Sequence, residues 1–401
     1  MEKILCELFA GVGGFRLGLE RTNAKWKTVW FSQWEPGKKN QWAHDCYVKH
    51  FGDIDENTGI DISLVDKTKV PAHNLLVGGF PCQDYSVARS LKNEKGIEGK
   101  KGVLWWQIRD LLIAKKAPFV LLENVDRLLK SPSKQRGRDF GIILACLADL
   151  NYSVEWRVIN AADYGAAQRR RRIFIFAYLN KTSYGKEMKD VVPEKILKDK
   201  GFFARVFPIE EISTIKNMEL DYSDIAKISE TFEFKFENSG YMTNGKVFTT
   251  KVIPILEAPK PLKEILDKEA GNKYDIPDDK LEKWIYLKGA KKIPRTSKSG
   301  FQYIFSEGPV GFPDNLELPA RTMLTSEATV NRSSHVIKDP KTKKLRLITP
   351  LEAERIQGFD DNWTDTGMPE KFRYFCMGNA LVVPMITRMG NELNKIFDDE
   401  K

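Results

Sequence analysis

The sequence has few cysteines and histidines, and it contains no long apolar run. Its five Cys and four His form no CxxC pair and no Cys/His cluster, so neither a disulfide framework nor a zinc site is indicated. No segment has the length and apolarity of a transmembrane helix, and the first residues are strand-like, with no signal peptide. These absences exclude the disulfide-rich secreted and membrane-spanning classes. They predict a metal-free protein of a reducing cytoplasm.

The composition is that of a globular protein with a large core. Of 401 residues, 42% are hydrophobic and 30% are charged, and this length favours two domains. The formal net charge of +9 permits a polyanionic partner. An excess of lysine is also common on ordinary surfaces, so the charge alone identifies no ligand.

The most informative stretch lies between residues 75 and 86. Its apolar start predicts a buried strand, which Gly78 and Gly79 end. Cys82 then follows Pro81 at the carboxyl end of that strand, where open α/β sheets bind ligands. A thiol there is a candidate nucleophile. A single cysteine is as often a small buried hydrophobic residue, so both interpretations stay open for Cys82 taken alone.

The N-terminal 62 residues favour a nucleoside site. A predicted strand over residues 4–9 runs into a glycine-rich turn and a helix, but the glycine spacing is not that of a dinucleotide site and no phosphate-loop lysine follows. Such a turn can also serve only to pack a helix on a strand. A second predicted strand ends at Gln33-Trp34-Glu35, where one side chain can bind a ribose and an aromatic ring can stack on adenine. Trp34 as a core residue is the alternative. Asp61 can place a carboxylate over the same pocket.

Two further segments carry candidate chemistry. A buried strand over residues 119–122 ends in Glu123, and a carboxylic acid near a thiol suggests attack on a ring carbon while a ring nitrogen is protonated. The composition of residues 87–101 predicts either a lid-like loop or a surface connection.

Four consecutive arginines precede a strand over 173–177, and strand alternation predicts that Gln168, Arg170 and Arg172 share one face. Two guanidiniums there suit a phosphate or a pyrimidine carbonyl, although such a run is also typical of a solvated patch.

In order and spacing, these segments resemble the DNA (cytosine-5)-methyltransferase family of the bacterial restriction–modification type. The resemblance implies an α/β fold with a Rossmann-like, mostly parallel sheet, as in class I S-adenosylmethionine-dependent methyltransferases, and a smaller mixed target-recognition domain. It implies a catalytic domain of residues 1–195 and 375–401, with target recognition and a hinge in 196–374. The motifs are Phe9-Ala10-Gly11 with Gly13-Gly14-Phe15-Arg16, Gly79-Phe80-Pro81-Cys82-Gln83 with Ser86, Glu123-Asn124-Val125, Gln168 with Arg170 and Arg172, Arg346 to Phe359, and Gly378-Asn379-Ala380.

The resemblance also implies a mechanism. Cys82 would add to C6 of a cytosine flipped out of duplex DNA, and Glu123 would protonate or hydrogen-bond N3. Asn124 would order the strand end, and Arg170, supported by Arg172, would hold the O2 side. C5 would then take a methyl group from S-adenosylmethionine.

By motif position, the resemblance assigns binding residues. The cofactor would be held by Phe9, Ala10, Gly11, Gly13, Gly14, Gln33, Trp34, Glu35, Asp61, Ile62, Phe80, Pro81, Leu104, Asn379 and Ala380. DNA would be contacted by Gln83, Ser86 and Arg89. Lys288, Lys291, Lys292 and Arg295 lie outside the motifs, in a stretch that interleaves cations with turn residues and suits DNA phosphates. A solvated basic face is the alternative for this stretch. Gln33 stands where the family usually has the ribose-binding Glu, and Glu35 follows two places on, so either can bind the ribose.

The rest of the chain is less specific. Helices are predicted over 193–200 and 261–270, a hairpin turn at Asn244-Gly245, and a helix over 385–397 that packs beside the N-terminal strand.

The implied partners are double-stranded DNA and a restriction endonuclease for the same site, with the enzyme a cytoplasmic monomer. Methylation of RNA and a silent DNA-binding role are the alternatives. A silent partner has no chemical need for Cys82, Glu123 and Arg170 together.

Overall fold

The computed structural model describes residues 1–54, 57–80, 104–297 and 300–400. The chain forms two compact units. The first unit contains Met1–Tyr164, Arg171–Glu257 and Val383–Lys401, and the second contains Gly165–Arg170 and Ala258–Val382. The sequence-derived boundary after residue 195 does not coincide with this division, because residues 196–257 pack within the first unit. No helix in the described ranges is long and apolar enough to cross a membrane.

A nine-stranded mixed sheet with the order β2-β1-β3-β4-β6-β5-β9-β10-β8 is the centre of the first unit. Strands β1 to β4 pair in parallel, and the other five pair antiparallel. The strands are β1 Ile4–Leu8, β2 Lys27–Ser32, β3 Leu75–Gly79, β4 Phe119–Val125, β5 Tyr152–Asn160, β6 Arg171–Leu179, β8 Lys216–Glu219, β9 Ser239–Thr243 and β10 Lys246–Thr250. A separate pair is formed by β7 Ile209–Ile212 and β11 Val252–Pro254.

Helices and short strands complete both units. In the first unit the helices are α1 Gly14–Glu20, α2 Trp42–Phe51, α3 Leu104–Lys115, α4 Arg138–Asp149, α5 Ser183–Lys189, α6 Pro193–Lys195, α7 Phe202–Val206, α8 Ile225–Thr231 and, at the C-terminus, α12 Val383–Asp399. In the second unit they are α9 Asp278–Lys288, α10 Pro350–Gln357 and α11 Glu370–Asn379. The second unit also holds the hairpin of β12 Lys291–Thr296 with β13 Gln302–Glu307 and the pair of β14 Val336–Lys338 with β15 Leu345–Leu347.

The core of the first unit lies on both faces of the sheet, which explains why β3, β4 and β6 contain consecutive apolar residues. Helix α12 packs on α1 and beside the start of the chain. The Met1 ammonium donates to the Phe397 carbonyl at 2.8 Å, and the rings of Trp26 and Phe397 lie 4.9 Å apart. The predicted packing of the C-terminal helix beside the N-terminal strand is therefore confirmed.

Of the local predictions for the middle of the chain, the hairpin turn is confirmed and one helix is wrong. The predicted hairpin turn joins β9 to β10, with positive φ at Asn244 and Gly245 (47° and 76°), as a type I′ turn requires. The predicted helix over 261–270 is wrong, since only a 3₁₀ turn forms over Leu262–Glu264. There the backbone amides of Leu262 and Lys263 donate to the carbonyls of residues 318 and 316, so pairing to a distant segment replaces a helical ladder.

One buried carboxyl group braces the first strand. Glu7 of β1 accepts a hydrogen bond from the Tyr47 hydroxyl of α2 at 3.1 Å and further bonds from the amides of Phe15 and Arg16 in α1. Burial raises the pKa of Glu7 to about 8 despite these donors. Glu7 thus links the strand and helix on either side of the glycine-rich turn.

We expect the protonation of Glu7 to make stability depend on pH. The folded protein keeps the Glu7 proton, whereas the unfolded chain releases it near the ordinary pKa of 4.5. The contribution of protonated Glu7 to the free energy of unfolding is therefore fully present below that pH and is lost as pH rises to about 8. Glu7→Gln removes this ionisation. The free energy of unfolding of the wild type should therefore fall relative to that of Glu7→Gln between about pH 5 and pH 8, as measured by denaturant unfolding. A constant difference over that range would contradict the assignment.

The close contact between β5 and β9 gives a second prediction. Gly240 pairs with Trp156 across the sheet, and a Cβ at Gly240 would overlap the indole ring. Gly240→Ala should lower the free energy of unfolding by about 1–3 kcal/mol through overpacking. Gly271→Ala is the matched control, because no atom lies within 4 Å of its added Cβ. Equal unfolding midpoints for the two variants would refute the packing argument.

Candidate active site

The carboxyl ends of β1 to β4 meet at one edge of the sheet, because these four strands run parallel. Ligands of open α/β sheets bind at this edge. The segments that leave it are the glycine-rich turn after β1, Gln33 to Glu35 after β2, Phe80 after β3, and Glu123 with Asn124 in the last residues of β4. The predicted site residues of the first unit are thus carried by neighbouring strands.

The glycine-rich turn exposes its backbone. Phe9, Gly11 and Gly13 all have positive φ (54°, 57° and 86°), and a Cβ at Gly11 would meet no atom within 4 Å. The Gly11 amide donates to Oε1 of Gln33 at 2.7 Å. Gln33 is buried, so its side chain supports the turn.

Glu35 is the better placed of the two candidate ribose ligands. Its Oε2 atom is buried and, among the residues that the structure describes, has no hydrogen-bond partner. Burial raises the pKa of this half-buried carboxyl group. The neighbouring Trp34 is 37% exposed, which leaves an aromatic surface open. An unpaired carboxylate oxygen beside an open indole suits a ligand with hydroxyl groups and a flat ring.

The other predicted cofactor residues of this unit differ in their exposure and contacts. Asp61 caps a helical turn, with Oδ1 accepting the Ser63 amide at 2.9 Å, and remains partly exposed. Ile62 and Phe80 are buried, and the Phe80 ring lies 6.0 Å from that of Trp105. Ala10 and Gly14 are buried in the glycine-rich segment, and Leu104 is half-buried at the start of α3.

Glu123 is held by an ion pair across two antiparallel strands. Arg172 Nε of β6 lies 2.8 Å from Glu123 Oε1. On the other side Glu123 pairs with Gly79 of β3, where an added Cβ would lie 3.2 Å from Oε2. The missing side chain at Gly79 therefore leaves space beside one carboxylate oxygen while Arg172 fixes the other.

Asn124 joins the ends of β3 and β4. Its Nδ2 donates to the Phe80 carbonyl at 2.8 Å, and its Oδ1 accepts the Val125 amide at 2.8 Å. Phe80 is the last described residue before Cys82. Pro81, Cys82, Gln83, Ser86 and Arg89 lie outside the described residues, as does the segment 87–101.

The predicted common face of Gln168, Arg170 and Arg172 is wrong, because β6 begins only at Arg171. Arg170 belongs to the second unit, is 2% exposed and donates to the carbonyls of Met323 and Gly378 at 3.1 and 2.9 Å. Gln168 Oε1 accepts the Met323 amide at 3.0 Å. Arg170 and Gln168 thus bind backbone of the second unit, and Arg172 binds Glu123.

The remaining predicted residues also belong to the second unit. Asn379 ends α11 with its side chain exposed, and the following residue is Ala380. Of the predicted DNA-binding cations, Lys292 and Arg295 are exposed and Lys291 is partly exposed. Lys288 is 1% exposed and donates to the Ser334 carbonyl, and burial lowers its pKa to about 8. Its ammonium group therefore has a structural partner and is not offered to a ligand.

Glu7 was missed by the sequence analysis. The available signal was a lone carboxylate inside an apolar strand run, just before the glycine-rich turn. Within the described ranges, no three His, Cys, Asp or Glu side chains are grouped so that they could hold a metal ion.

Comparisons with known proteins agree with this geometry. The family model for C-5 cytosine-specific DNA methylase matches residues 4–395. The chain is 52% identical to Type II methyltransferase M.Sau3AI of Staphylococcus aureus over 99% of this chain and 97% of that protein. It is 28% identical to Type II methyltransferase M.SsoII of Shigella sonnei, over 98% and 80% of the two chains.

Solved structures show the same fold at low sequence identity. The Entamoeba histolytica methyltransferase EhMeth matches with a TM-score of 0.59 and 18% identity, covering 100% of this chain and 99% of that chain. The S. pombe Dnmt2 methyltransferase matches with a TM-score of 0.60 and 14% identity, covering 99% and 100%. The predicted α/β methyltransferase fold is thus confirmed, and the chain belongs to the C-5 cytosine-specific DNA methylase family.

Proposed function

We propose that this DNA (cytosine-5)-methyltransferase acts on a cytosine flipped out of a short specific sequence in duplex DNA, with Cys82 as the nucleophile. The observation that carries the proposal is the Glu123–Arg172 ion pair at the carboxyl edge of the sheet. It fixes a carboxyl group beside the end of β3, from which the chain continues to Cys82. The base must leave the stack, since neither face of its ring is accessible inside the duplex.

In the proposed mechanism, Cys82 and Glu123 act on the cytosine ring, and two arginines support them. The Cys82 thiolate forms a bond to C6, and the electron pair displaced from the C5–C6 bond is stabilised when Glu123 protonates or hydrogen-bonds N3. C5 thereby becomes nucleophilic. After methyl transfer, loss of the C5 proton and departure of the thiolate from C6 restore the aromatic ring. Arg172 orients Glu123, and we assign Arg170 a supporting role through its bonds to Met323 and Gly378.

The family implies S-adenosylmethionine as the methyl donor, and we infer that it binds at the carboxyl edge of the first unit. When bound, this cofactor supplies an electrophilic methyl group. We infer that Glu35 accepts hydrogen bonds from the ribose hydroxyls, because its Oε2 atom is buried without a partner in the described part of the chain. Trp34 offers its exposed ring to the adenine, Asp61 faces the adenine amine, and the open Gly11 backbone lets the ligand approach closely.

We assign the chemistry to the first unit and target recognition to the second. The second unit carries the exposed cations Lys292 and Arg295, which suit DNA phosphates. The relatives named as Type II methyltransferases support a restriction–modification context. We therefore infer a cognate endonuclease for the same site. We further infer that the enzyme acts as a monomer in the cytoplasm, the compartment that holds the DNA.

Cys82→Ser should abolish methyl transfer while DNA and cofactor binding persist, because a serine hydroxyl is a far weaker nucleophile than a thiolate. The measurement is conversion sequencing of host DNA after expression of either protein in a strain without cytosine methylation. The wild type should protect one cytosine in one recurring sequence, and the variant should protect none. Loss of DNA and cofactor binding along with activity would show instead that Cys82 is structural. No protected cytosine with a folded, cofactor-binding wild type would move the proposal to RNA, and tRNA would be tested next.

Glu35→Gln should weaken S-adenosylmethionine binding by roughly tenfold or more, since hydrogen bonds to a charged group stabilise by about 1.5–3 kcal/mol. Isothermal titration calorimetry of the purified protein measures this loss directly. Glu233→Gln, an exposed change on the same unit, should leave the affinity unchanged. Unaltered binding by Glu35→Gln together with lost binding by a folded Gln33→Ala variant would transfer the ribose contact to Gln33.

A further inference from the structure

The hairpin of β12 and β13 has one face that contributes nothing to the folded unit. Its cross-strand pairs are Lys292 with Ser306, Pro294 with Ile304, and Thr296 with Gln302, and all six residues are exposed. Within the described ranges, none of these six side chains forms an ion pair or a hydrogen bond within the protein. We call these six residues the outer face of the hairpin.

The opposite face anchors the hairpin. Lys291, Ile293, Phe305 and Glu307 are only partly exposed, and the Lys291 ammonium donates to the Leu287 carbonyl of α9 at 3.3 Å. Arg332 lies 3.8 Å from the Glu307 carboxylate and donates to the Leu287 and Gly289 carbonyls at the end of α9, both at 3.1 Å, so it connects the hairpin to that helix. Attachment through one face leaves the outer face free of any structural requirement.

The outer face and the tip of the hairpin combine apolar and hydrogen-bonding groups. Ile304 is 66% exposed and Phe301, in the loop between the strands, is 69% exposed. Exposed apolar side chains grouped with polar ones mark surfaces that bind a partner. The polar members can both donate and accept hydrogen bonds, because they are an amide (Gln302) and two hydroxyls (Thr296 and Ser306).

The shape and the charge of the hairpin both indicate duplex DNA as its binding partner. The major groove of B-DNA admits a two-stranded ribbon, and the base edges there present hydrogen-bond groups and thymine methyls. Lys292 and Arg295 give the ribbon positive charge. The Arg295 guanidinium lies 3.9 Å above the Phe305 ring, which supports an exposed cation without neutralising it. The outer face thus combines Lys292 with amide, hydroxyl and methyl groups, and Arg295 adds an exposed cation from the opposite face of the ribbon. This set of groups matches duplex DNA at its phosphates and its bases.

We propose that the outer face of the β12–β13 hairpin lies in the major groove and reads the target sequence. Gln302 forms paired hydrogen bonds with an adenine, Ile304 contacts a thymine methyl, and Lys292 and Arg295 bind phosphates. This assignment rests on the proposed function and adds the residues that select the methylated site.

The test measures discrimination apart from catalysis. In the Cys82→Ser background, fluorescence anisotropy gives the affinity for the wild-type target duplex and for duplexes that each differ from it by one base pair. Gln302→Ala and Ile304→Ala should each reduce the preference for the target by roughly tenfold at one position of the site. Lys292→Ala should instead weaken binding to all duplexes alike and lower the dependence of log affinity on log salt by about one.

Two matched controls use exposed side chains of the same unit away from the hairpin, Asn272→Ala and Leu318→Ala. They should leave the preference at every position unchanged, and thermal unfolding checks that all variants are folded. Unaltered preference at every position in folded Gln302→Ala and Ile304→Ala would overturn the assignment. Failure of the wild type to protect any cytosine in conversion sequencing is a different result, since it refutes the proposed function itself.

Discussion

The parallel pairing of β1 to β4 is the constraint on which the candidate site depends. Because these strands share one direction, their carboxyl ends meet at one edge, and residues far apart in sequence become neighbours there. The antiparallel strand β6 then enters beside β4 with its N-terminal end at that edge. This reversal brings Arg172 to Glu123. A parallel strand in the same place would have brought its carboxyl end there instead, so the mixed topology is what creates the ion pair.

The sequence predicted most of this edge because its signals are local. Short apolar runs followed by glycine or by a polar residue located β1, β2, β3 and β4, and Asn244-Gly245 located the β9–β10 turn, since only a few residue types tolerate its positive φ. The order of motifs was enough to predict the family and the fold. Each motif depends on residues within one turn or one strand, and their order along the chain adds the family.

The features that were missed depend on tertiary partners. The sequence leaves open whether Gln33 or Glu35 binds the ribose. The structure distinguishes their surroundings, because Gln33 accepts the Gly11 amide and Glu35 Oε2 is buried without a partner in the described part of the chain. Alternation across the arginine run failed because the chain passes from one compact unit to the other between Arg170 and Arg171. Lys288 looked like its exposed neighbours, but it lies on the inner side of α9 and binds the Ser334 carbonyl. No local pattern distinguishes a lysine that bonds to its own protein from one that bonds to phosphate.

The two parts of the proposed activity place opposite demands on side chains. Chemistry needs Glu123 in one orientation, and its neighbours on both sides, Arg172 and the bare backbone of Gly79, provide it. Recognition of a particular sequence needs side chains that can change between relatives without loss of stability. The outer face of the hairpin meets that need because, within the described ranges, none of its side chains forms an ion pair or a hydrogen bond within the protein. Substitution there should therefore change which DNA sequence is methylated while the sheet edge and its ion pair stay intact.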